Sequence, residues 1–265
     1  MQILDSAIIN SLNKPKKTSH KGQNGRILII AGSERFHGAL MMAVKTASRI
    51  VDMVYVHSTE QNSDFIKKLK SEISTFICIK ESGLWDTVGM VDSILVGPGL
   101  EENKYTKKMV EKLLKKYPEK KTIVDATALW HVDPHLLHPN CIVTPHSREF
   151  RNVFECDPTE DNVLKMAKYF QCTIVFSGPT DIISNGKEVW HNETGNEGMT
   201  KGGTGDVLSG LITALSANND LLTSALVGTY ISGLVGDRLK EKVGTFFNAE
   251  DLIGELGVVW KEIDL

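Results

Sequence analysis

The chain has 265 residues, with 30 Lys and Arg against 33 Asp and Glu for a formal net charge of −3, and it is 41% hydrophobic and 24% charged. That length holds one large α/β domain with a real core, and the slight acidic excess argues against a general nucleic-acid or anionic-membrane surface. Cys78, Cys141, Cys156 and Cys172 lie far apart with no Cys-x-x-Cys pair, so neither a zinc ribbon nor a disulfide framework is indicated and reduced thiols are expected. No stretch approaches the ~18 uninterrupted apolar residues of a membrane span. Met1–Gly22 lacks the apolar core and cleavage site of a secretory signal. A cytoplasmic location is expected.

Arg26–Ala31 (RILIIA) reads as a strand buried on both faces, because its apolar residues are continuous rather than alternating. A helix follows over Gly38–Val51, then a strand at Met53–His57 and a helix at Asp64–Ile73. Ser93–Val96 is a strand ending in Gly97-Pro98-Gly99. A strongly charged helix, Tyr105–Tyr117, leads to the strand Thr122–Asp125. The Lys-rich run from Lys107 to Lys120 reads as a solvated helix face. Cys141–Thr144 and Thr173–Phe176 are further buried strands, separated by a helix around Asn162–Phe170. Such alternation implies right-handed crossovers and a parallel sheet covered on both sides. After Gly178, Asp181–Ser184 and Lys187–His191 flank Asn185-Gly186, the signature of a two-residue hairpin. From Gly205 onward the pattern is mostly helical. No linker or repeat divides the chain, so residues 1–265 are expected to form a single domain.

The densest chemical signal is Gly195–Leu211 (GNEGMTKGGTGDVLSGL). Gly198, Gly202, Gly203 and Gly205 precede an apolar helix containing Val207, Leu208, Leu211 and Ile212. Glycines permit positive φ and close approach of a ligand to backbone amides. A helix start presents unpaired N–H groups and a partial positive charge, and the two together suit a phosphate. The spacing is not that of a P-loop. The residues alone leave a second reading open, a flexible glycine loop with Asp206 merely capping the helix. Under the phosphate reading Asp206 is placed to act as general base toward a substrate hydroxyl, with the helix terminus favouring its ionised form.

This stretch resembles the signature of the ADP- or ATP-dependent NAD(P)H-hydrate dehydratases of the ribokinase-like superfamily. Lys21–Ala39 (KGQNGRILIIAGSERFHGA) is similar to that family's opening strand and turn. Val96–Leu100 (VGPGL), Val124–Ala126 with Ala128-Leu129, and Thr144-Pro145-His146 with Glu149-Phe150 resemble its next elements. Ser232–Asp237 (SGLVGD) and Ala249–Ile253 (AEDLI) resemble its last helices. The blocks follow family order. The resemblance implies a ribokinase-like α/β fold, with a mostly parallel central sheet and helices on both faces. It implies repair of hydrated NADH or NADPH: the S epimer's ring hydroxyl is phosphorylated and then lost as phosphate. By the same resemblance Asp206 is the catalytic base, and Ala39, Gly99, His146 and Asp206 contact the hydrated dinucleotide. Ser177, Gly178, Pro179, Thr180, Asp181, Asn196, Lys201, Gly202, Gly203, Thr204 and Gly205 form the nucleotide site. ADP or ATP is the expected donor, with Mg2+ accompanying its phosphates and no dedicated protein cage for the metal. The family often forms homo-oligomers, so one is expected here. It is often fused behind an epimerase domain; the chain starts about twenty residues before its first strand, so a separate epimerase is the expected functional partner. No nucleic-acid or membrane partner is expected.

The chain departs from the family pattern at several positions. Ser177-Gly178-Pro179-Thr180-Asp181 stands where Lys-Gly-Ala-x-Thr is usual, so a lysine is missing. Lys201 stands in the glycine cluster where a small residue is usual, and one reading is that it supplies the missing charge. Thr127 replaces a second aspartate, and Glu101 replaces a glycine. Two other functions share the glycine-rich helix start: a small-molecule kinase such as a hydroxyethylthiazole kinase, and a nucleotide-binding protein without turnover. His131, His135 and His138 could suggest a metal site, but Pro134 and Pro139 break the helix that would align them, and a solvated loop is expected. His37, beside Gly38, reads equally as ligand-adjacent or as surface. Trp130 and Trp190 read as core or rim packing rather than as stacking platforms.

Overall fold

In the computed structural model, which describes residues 2–263, the apolar runs become the strands of one ten-stranded sheet. In chain order they are β1 (Gln2–Ile3), β2 (Arg26–Ile30), β3 (Met53–His57), β4 (Ile77–Cys78), β5 (Ser93–Val96), β6 (Lys121–Val124), β7 (Cys141–Val143), β8 (Thr173–Phe176), β9 (Asp181–Ser184) and β10 (Val189–Asn192). Their spatial order is β1-β10-β9-β8-β7-β6-β5-β2-β3-β4. All pairs from β8 to β4 are parallel. The β8-β9 and β9-β10 pairs are antiparallel, and β1 runs parallel to β10.

The helices are α1 (His37–Ala47), α2 (Ser63–Glu72), α3 (Leu84–Met90), α4 (Lys104–Lys116), α5 (Thr127–His131), α6 (Ser147–Phe154), α7 (Glu160–Phe170), α8 (Thr204–Ser216), α9 (Leu221–Val243) and α10 (Ala249–Glu262). They cover both faces, which is why the strands read as continuous apolar runs. In β2, Ile27 and Ile29 face a core shared with α1, α8, α9 and α10, while Leu28 and Ile30 face a second core shared with α3 to α7. Helix α4 buries only one stripe (Thr106, Met109, Val110, Leu113, Leu114) and leaves its lysines outside. Among the described residues, no helix is long and apolar enough to cross a membrane.

The hairpin differs from its sequence signature. Ser184 pairs with Val189, so the connection is the four residues Asn185–Glu188 and β10 begins later than expected. Asn185 Oδ1 accepts the amides of Lys187 (2.9 Å) and Glu188 (3.0 Å), folding them into the turn instead of the ladder. Gly186, at φ +80°, sits against α7, where a Cβ would lie 2.6 Å from the Lys168 backbone.

Helices α1 and α8 meet backbone to backbone at Gly210, where a Cβ would stand 2.9 Å from both Cα and O of Ala43. Gly210→Ala is therefore expected to destabilise the protein by about 1–3 kcal/mol through overpacking. Thermal unfolding would register this as a Tm lower by roughly 2–10 °C.

Candidate active site

The site is built where the central strands end. Gly32 follows β2, Gly97 follows β5, Asp125 follows β6, Thr144 follows β7 and Ser177 follows β8. Backbone hydrogen bonds continue past the strands and lock these turns together. Gly97 N donates to Ile30 O (3.1 Å), Asp125 N to Val96 O (3.1 Å), Gly32 N to Pro98 O (2.8 Å) and Ser177 N to Pro145 O (3.1 Å). Strand order reverses between β2 and β5, and crevices at such reversals are where open α/β sheets bind ligands. Gly99 and Ala39 abut there. Gly99 has φ +64°, and a Cβ on it would lie 2.3 Å from Phe36 O and 2.9 Å from Ala39 Cβ.

Helix α8 opens onto the same end of the sheet. Its N-cap is Gly203 at φ +95°, a left-handed conformation that suits glycine, and no side chain caps the helix. Side chains of Asn103, His146, Thr159, Asp220 and Asn248 cap α4, α6, α7, α9 and α10, whereas α1, α3 and α5 share with α8 the lack of a side-chain cap. A Cβ added at Gly202 or Gly205 would meet nothing within 4 Å. The first turn of α8 thus combines uncapped amides with open space, the arrangement an anion requires.

Three carboxylates gather beside that turn. Asp206, in the first turn of α8, is pushed up to about 7 by burial first, then by the negative charges of Asp125 and Glu149. The helix terminus is expected to favour its ionised form; burial and two like charges act in the opposite direction. Among the described residues, its carboxylate has no hydrogen-bond or ion-pair partner. Asp125 is buried, and its Oδ1 accepts the Thr144 hydroxyl at 2.7 Å. Burial raises its pKa, with the hydrogen bonds from Thr144, Ser209 and the Ala126 amide acting the other way. Ala126 itself adopts φ 47°, ψ −125°, a strained conformation for a residue with a Cβ. Gly97 makes room for it: a Cβ on Gly97 would come within 1.8 Å of Asp125 O. Glu149 is also buried and shifted up, chiefly by desolvation.

His146 is the N-cap of α6. Its Nδ1 accepts the amides of Arg148 and Glu149, both at 3.2 Å, and Glu149 Oε2 accepts the His146 amide at 3.0 Å. That network assigns the neutral ring its proton on Nε2. The side chain is 55% exposed, so an Nε2–H donor faces outward beside the carboxylates.

The remaining predicted residues act through the backbone. Asp181 folds Ser177–Thr180 back by accepting Gly178 N at 3.1 Å, while Asn192 Nδ2 holds its other oxygen at 3.0 Å. Burial pushes the Asp181 pKa up. Gly178 and Pro179 are exposed. Asn196 accepts Gly198 N and donates to Asp237 Oδ1, both at 3.0 Å. Thr204 Oγ1 lies 2.7 Å from Met199 O and 2.9 Å from Lys201 O. Lys201, read above as a source of charge for the nucleotide, directs its ammonium to Gly198 O (2.9 Å) and Thr245 O (2.6 Å) and over the Phe247 ring (5.0 Å).

The sequence placed Asp125 at a strand end, but missed Glu149 and Asp237 as individual contributors although both sit in blocks already singled out. Asp237 braces the glycine loop by accepting Gly195 N at 2.9 Å as well as Asn196 Nδ2. Of the three histidines of His131–His138, His131 and His135 line one cavity and His138 lies apart from it. His135 packs edge-on against Tyr169 and Phe170, and His138 lies 3.4 Å from Cys141 Sγ. Trp190 is buried in the core, and His37 stacks on Phe65. Two cavities lie elsewhere. One of about 510 Å³ is lined by Trp130, His131 and Phe154, and one of about 580 Å³ by Arg49, Asn218 and Trp260. Neither contains the uncapped helix start or the unpartnered carboxylate, so the chemistry is assigned to the strand ends.

A sequence model of the NAD(P)H-hydrate dehydratase family matches residues 27–257. The chain is 32% identical to the ADP-dependent (S)-NAD(P)H-hydrate dehydratase of Nitrosopumilus maritimus, over 98% of this chain and 97% of that protein. This chain belongs to the NAD(P)H-hydrate dehydratase family. It is also 36% identical to the bifunctional NAD(P)H-hydrate repair enzyme Nnr of Methanocaldococcus jannaschii, covering 96% of this chain but spanning only 51% of that protein. The ADP/ATP-dependent NAD(P)H-hydrate dehydratase of Bacillus subtilis, co-crystallised with ATP/Mg2+, superposes with a TM-score of 0.87 at 24% identity, over 99% of each chain. The ribokinase-like fold expected from the sequence is the one observed.

For this dehydratase-family chain, the Asp206 environment has a measurable cost. Its pKa is higher folded than unfolded, so the native state holds an extra proton between the two values and loses stability as pH rises toward 7. Asp206→Asn removes that charge. It is expected to raise Tm by roughly 2–6 °C near pH 8, with a gain that shrinks steadily toward pH 5. Calorimetry at several pH values checks both the sign and the trend.

Proposed function

We propose that this chain restores NADH or NADPH from the S epimer of its hydrate, using ADP or ATP as phosphoryl donor. The observation that carries the reading is the unpartnered Asp206 carboxylate at the glycine-opened, uncapped start of α8. The family and the relative named for that reaction support it.

The hydrate carries a hydroxyl on a saturated ring carbon, and hydroxide is a poor leaving group. Asp206 takes the hydroxyl proton while the oxygen attacks the terminal phosphorus of the donor, and the shorter nucleotide departs. The amides of Gly202–Gly205 and the start of α8 stabilise the charge that develops on the phosphoryl oxygens. The ring nitrogen's lone pair then expels phosphate, and loss of a proton from the neighbouring carbon restores the dihydronicotinamide. A base near neutrality suits this sequence, since it is ionised enough to take a proton and basic enough to hold it.

Ala39, Gly99 and the outward Nε2–H of His146 hold the hydrated dinucleotide in the crevice between β2 and β5. Ser177–Asp181 and the turn containing Asn196, Lys201, Gly202, Gly203, Thr204 and Gly205 frame the nucleotide, largely with backbone. Among the described residues no group of three acidic, Cys or His side chains is placed as a metal cage. Mg2+ would be carried on the nucleotide phosphates, with Asp125 and Glu149 as the carboxylates available to it. Mg2+ supplies neutralisation of the phosphate charge; the proton transfer stays with Asp206. The reading extends to cytoplasmic action as a homo-oligomer, alongside an epimerase that supplies the S form. The bifunctional repair enzyme of Methanocaldococcus jannaschii is the relative that motivates that partnership.

The test is incubation of the protein with hydrated NADH, Mg2+ and either ADP or ATP, following reduced-nicotinamide absorbance and released phosphate. Equal yields of the two are expected with at least one nucleotide, and no recovery with either overturns the proposal. Activity should rise with pH through about 7, because the working base is the deprotonated form. Asp206→Asn should lower kcat by about 10²–10⁴-fold without loss of fold.

A further inference from the structure

Phe246 is 91% exposed, the most exposed large apolar side chain among the described residues. It lies in the connection between α9 and α10, and its backbone is held on both sides. Before it, Thr245 O accepts the Lys201 ammonium at 2.6 Å. After it, Phe247 is buried, and a Cβ at Gly198 would lie 2.6 Å from its ring. Asn248 then caps α10, with Glu250 N and Asp251 N donating to its Oδ1. The Phe246 ring is thus left in water on an anchored backbone, in the segment whose Thr245 and Phe247 hold the 198–203 turn. Burial would favour it, and no described residue covers it.

We propose that Phe246 is the platform on which the donor nucleotide's base stacks, and that Lys201 is the strut that holds it there. The inference rests on the function proposed above. The phosphoryl acceptor occupies the side of Asp206 that bears Ala39, Gly99 and His146. The transferred group sits at the mouth of α8, so the nucleoside extends to the opposite side, over the glycine turn and the 244–247 segment packed on it. A base has two π faces and little charge, and a preordered phenyl ring suits it better than another polar contact. Lys201 thereby gains a role different from direct phosphate binding. Its ammonium ties the turn's own Gly198 O to Thr245 O, so the phosphate cradle and the platform move as one piece.

Titration calorimetry of the full chain with ADP and, separately, with inorganic pyrophosphate tests this in the presence of Mg2+. Phe246→Ala should weaken ADP binding about ten-fold while leaving pyrophosphate affinity unchanged. Phe246→Tyr should retain wild-type ADP affinity. Lys201→Met should weaken ADP as well, since the platform loses its anchor. Unchanged ADP affinity in Phe246→Ala, or equal loss for ADP and pyrophosphate, overturns the proposal while leaving the proposed reaction intact. A changed sedimentation mass with ADP affinity preserved also overturns it, by assigning Phe246 to contact between copies of the chain. Failure of the unaltered protein to bind either ADP or pyrophosphate sinks the proposed function and this inference together.

Discussion

The arrangement of the whole strand-end region depends on crowding of negative charge without a paired lysine or arginine among the described residues. Asp125, Glu149 and Asp206 approach one another in a partly desolvated space. Each is raised in pKa by burial, and Asp206 and Glu149 additionally by their neighbours. No lysine or arginine pairs with Asp206 among the described residues. Such a cluster is unfavourable by itself, since removing charges from water is compensated only by partners of opposite sign. The compensation present is dipolar: the uncapped turn of α8, the hydroxyls of Thr144 and Ser209, and the amides around His146. A ligand that brings its own cation and takes up the free amides would relieve both deficits at once.

Glycine supplies the close approaches that this arrangement needs. Gly97 lets the Asp125 carbonyl pass beside β5, and Gly99 lets the α1 turn meet the end of that strand. On α9, a Cβ at Gly233 would fall 2.2 Å from Thr194 Oγ1, and one at Gly236 would fall 2.3 Å from Met199 Sδ. The glycine turn therefore lies on the long helix at the distance of a shared van der Waals surface. Asp237, one residue further on, ties the same turn down through two hydrogen bonds. The Ser232–Asp237 block, read first as a likeness, is thus the seat of the glycine turn.

Strands covered on both faces were the most legible part of the fold. Met53–His57, Ser93–Val96 and Thr173–Phe176 have the bounds expected from their apolar runs. Elements of two to seven residues, such as β1, β4, α3 and α5, are too short to show a period, and they escaped notice. The hairpin was misread because Asn185-Gly186 can open either a two-residue turn or a longer one, and packing against α7 selected the latter. At the site, Asp206 and the glycines could be picked out because they are neighbours in the chain. Its electrostatics could not. Asp125 and Glu149 reach Asp206 only through the ends of β6 and β7, and burial reverses the effect expected from a helix terminus. Lys201 was ambiguous for a similar reason, since its partner Thr245 is contributed by a distant segment.

The two sheet edges have a consequence for aggregation. Each outermost strand, β1 and β4, is only two residues long. An edge that short offers few open amides and carbonyls for an incoming chain to zip against, a feature that discourages runaway strand addition. Strand-to-strand addition at either edge of the sheet is therefore disfavoured, and the rest of the surface is made of helical flanks and loops.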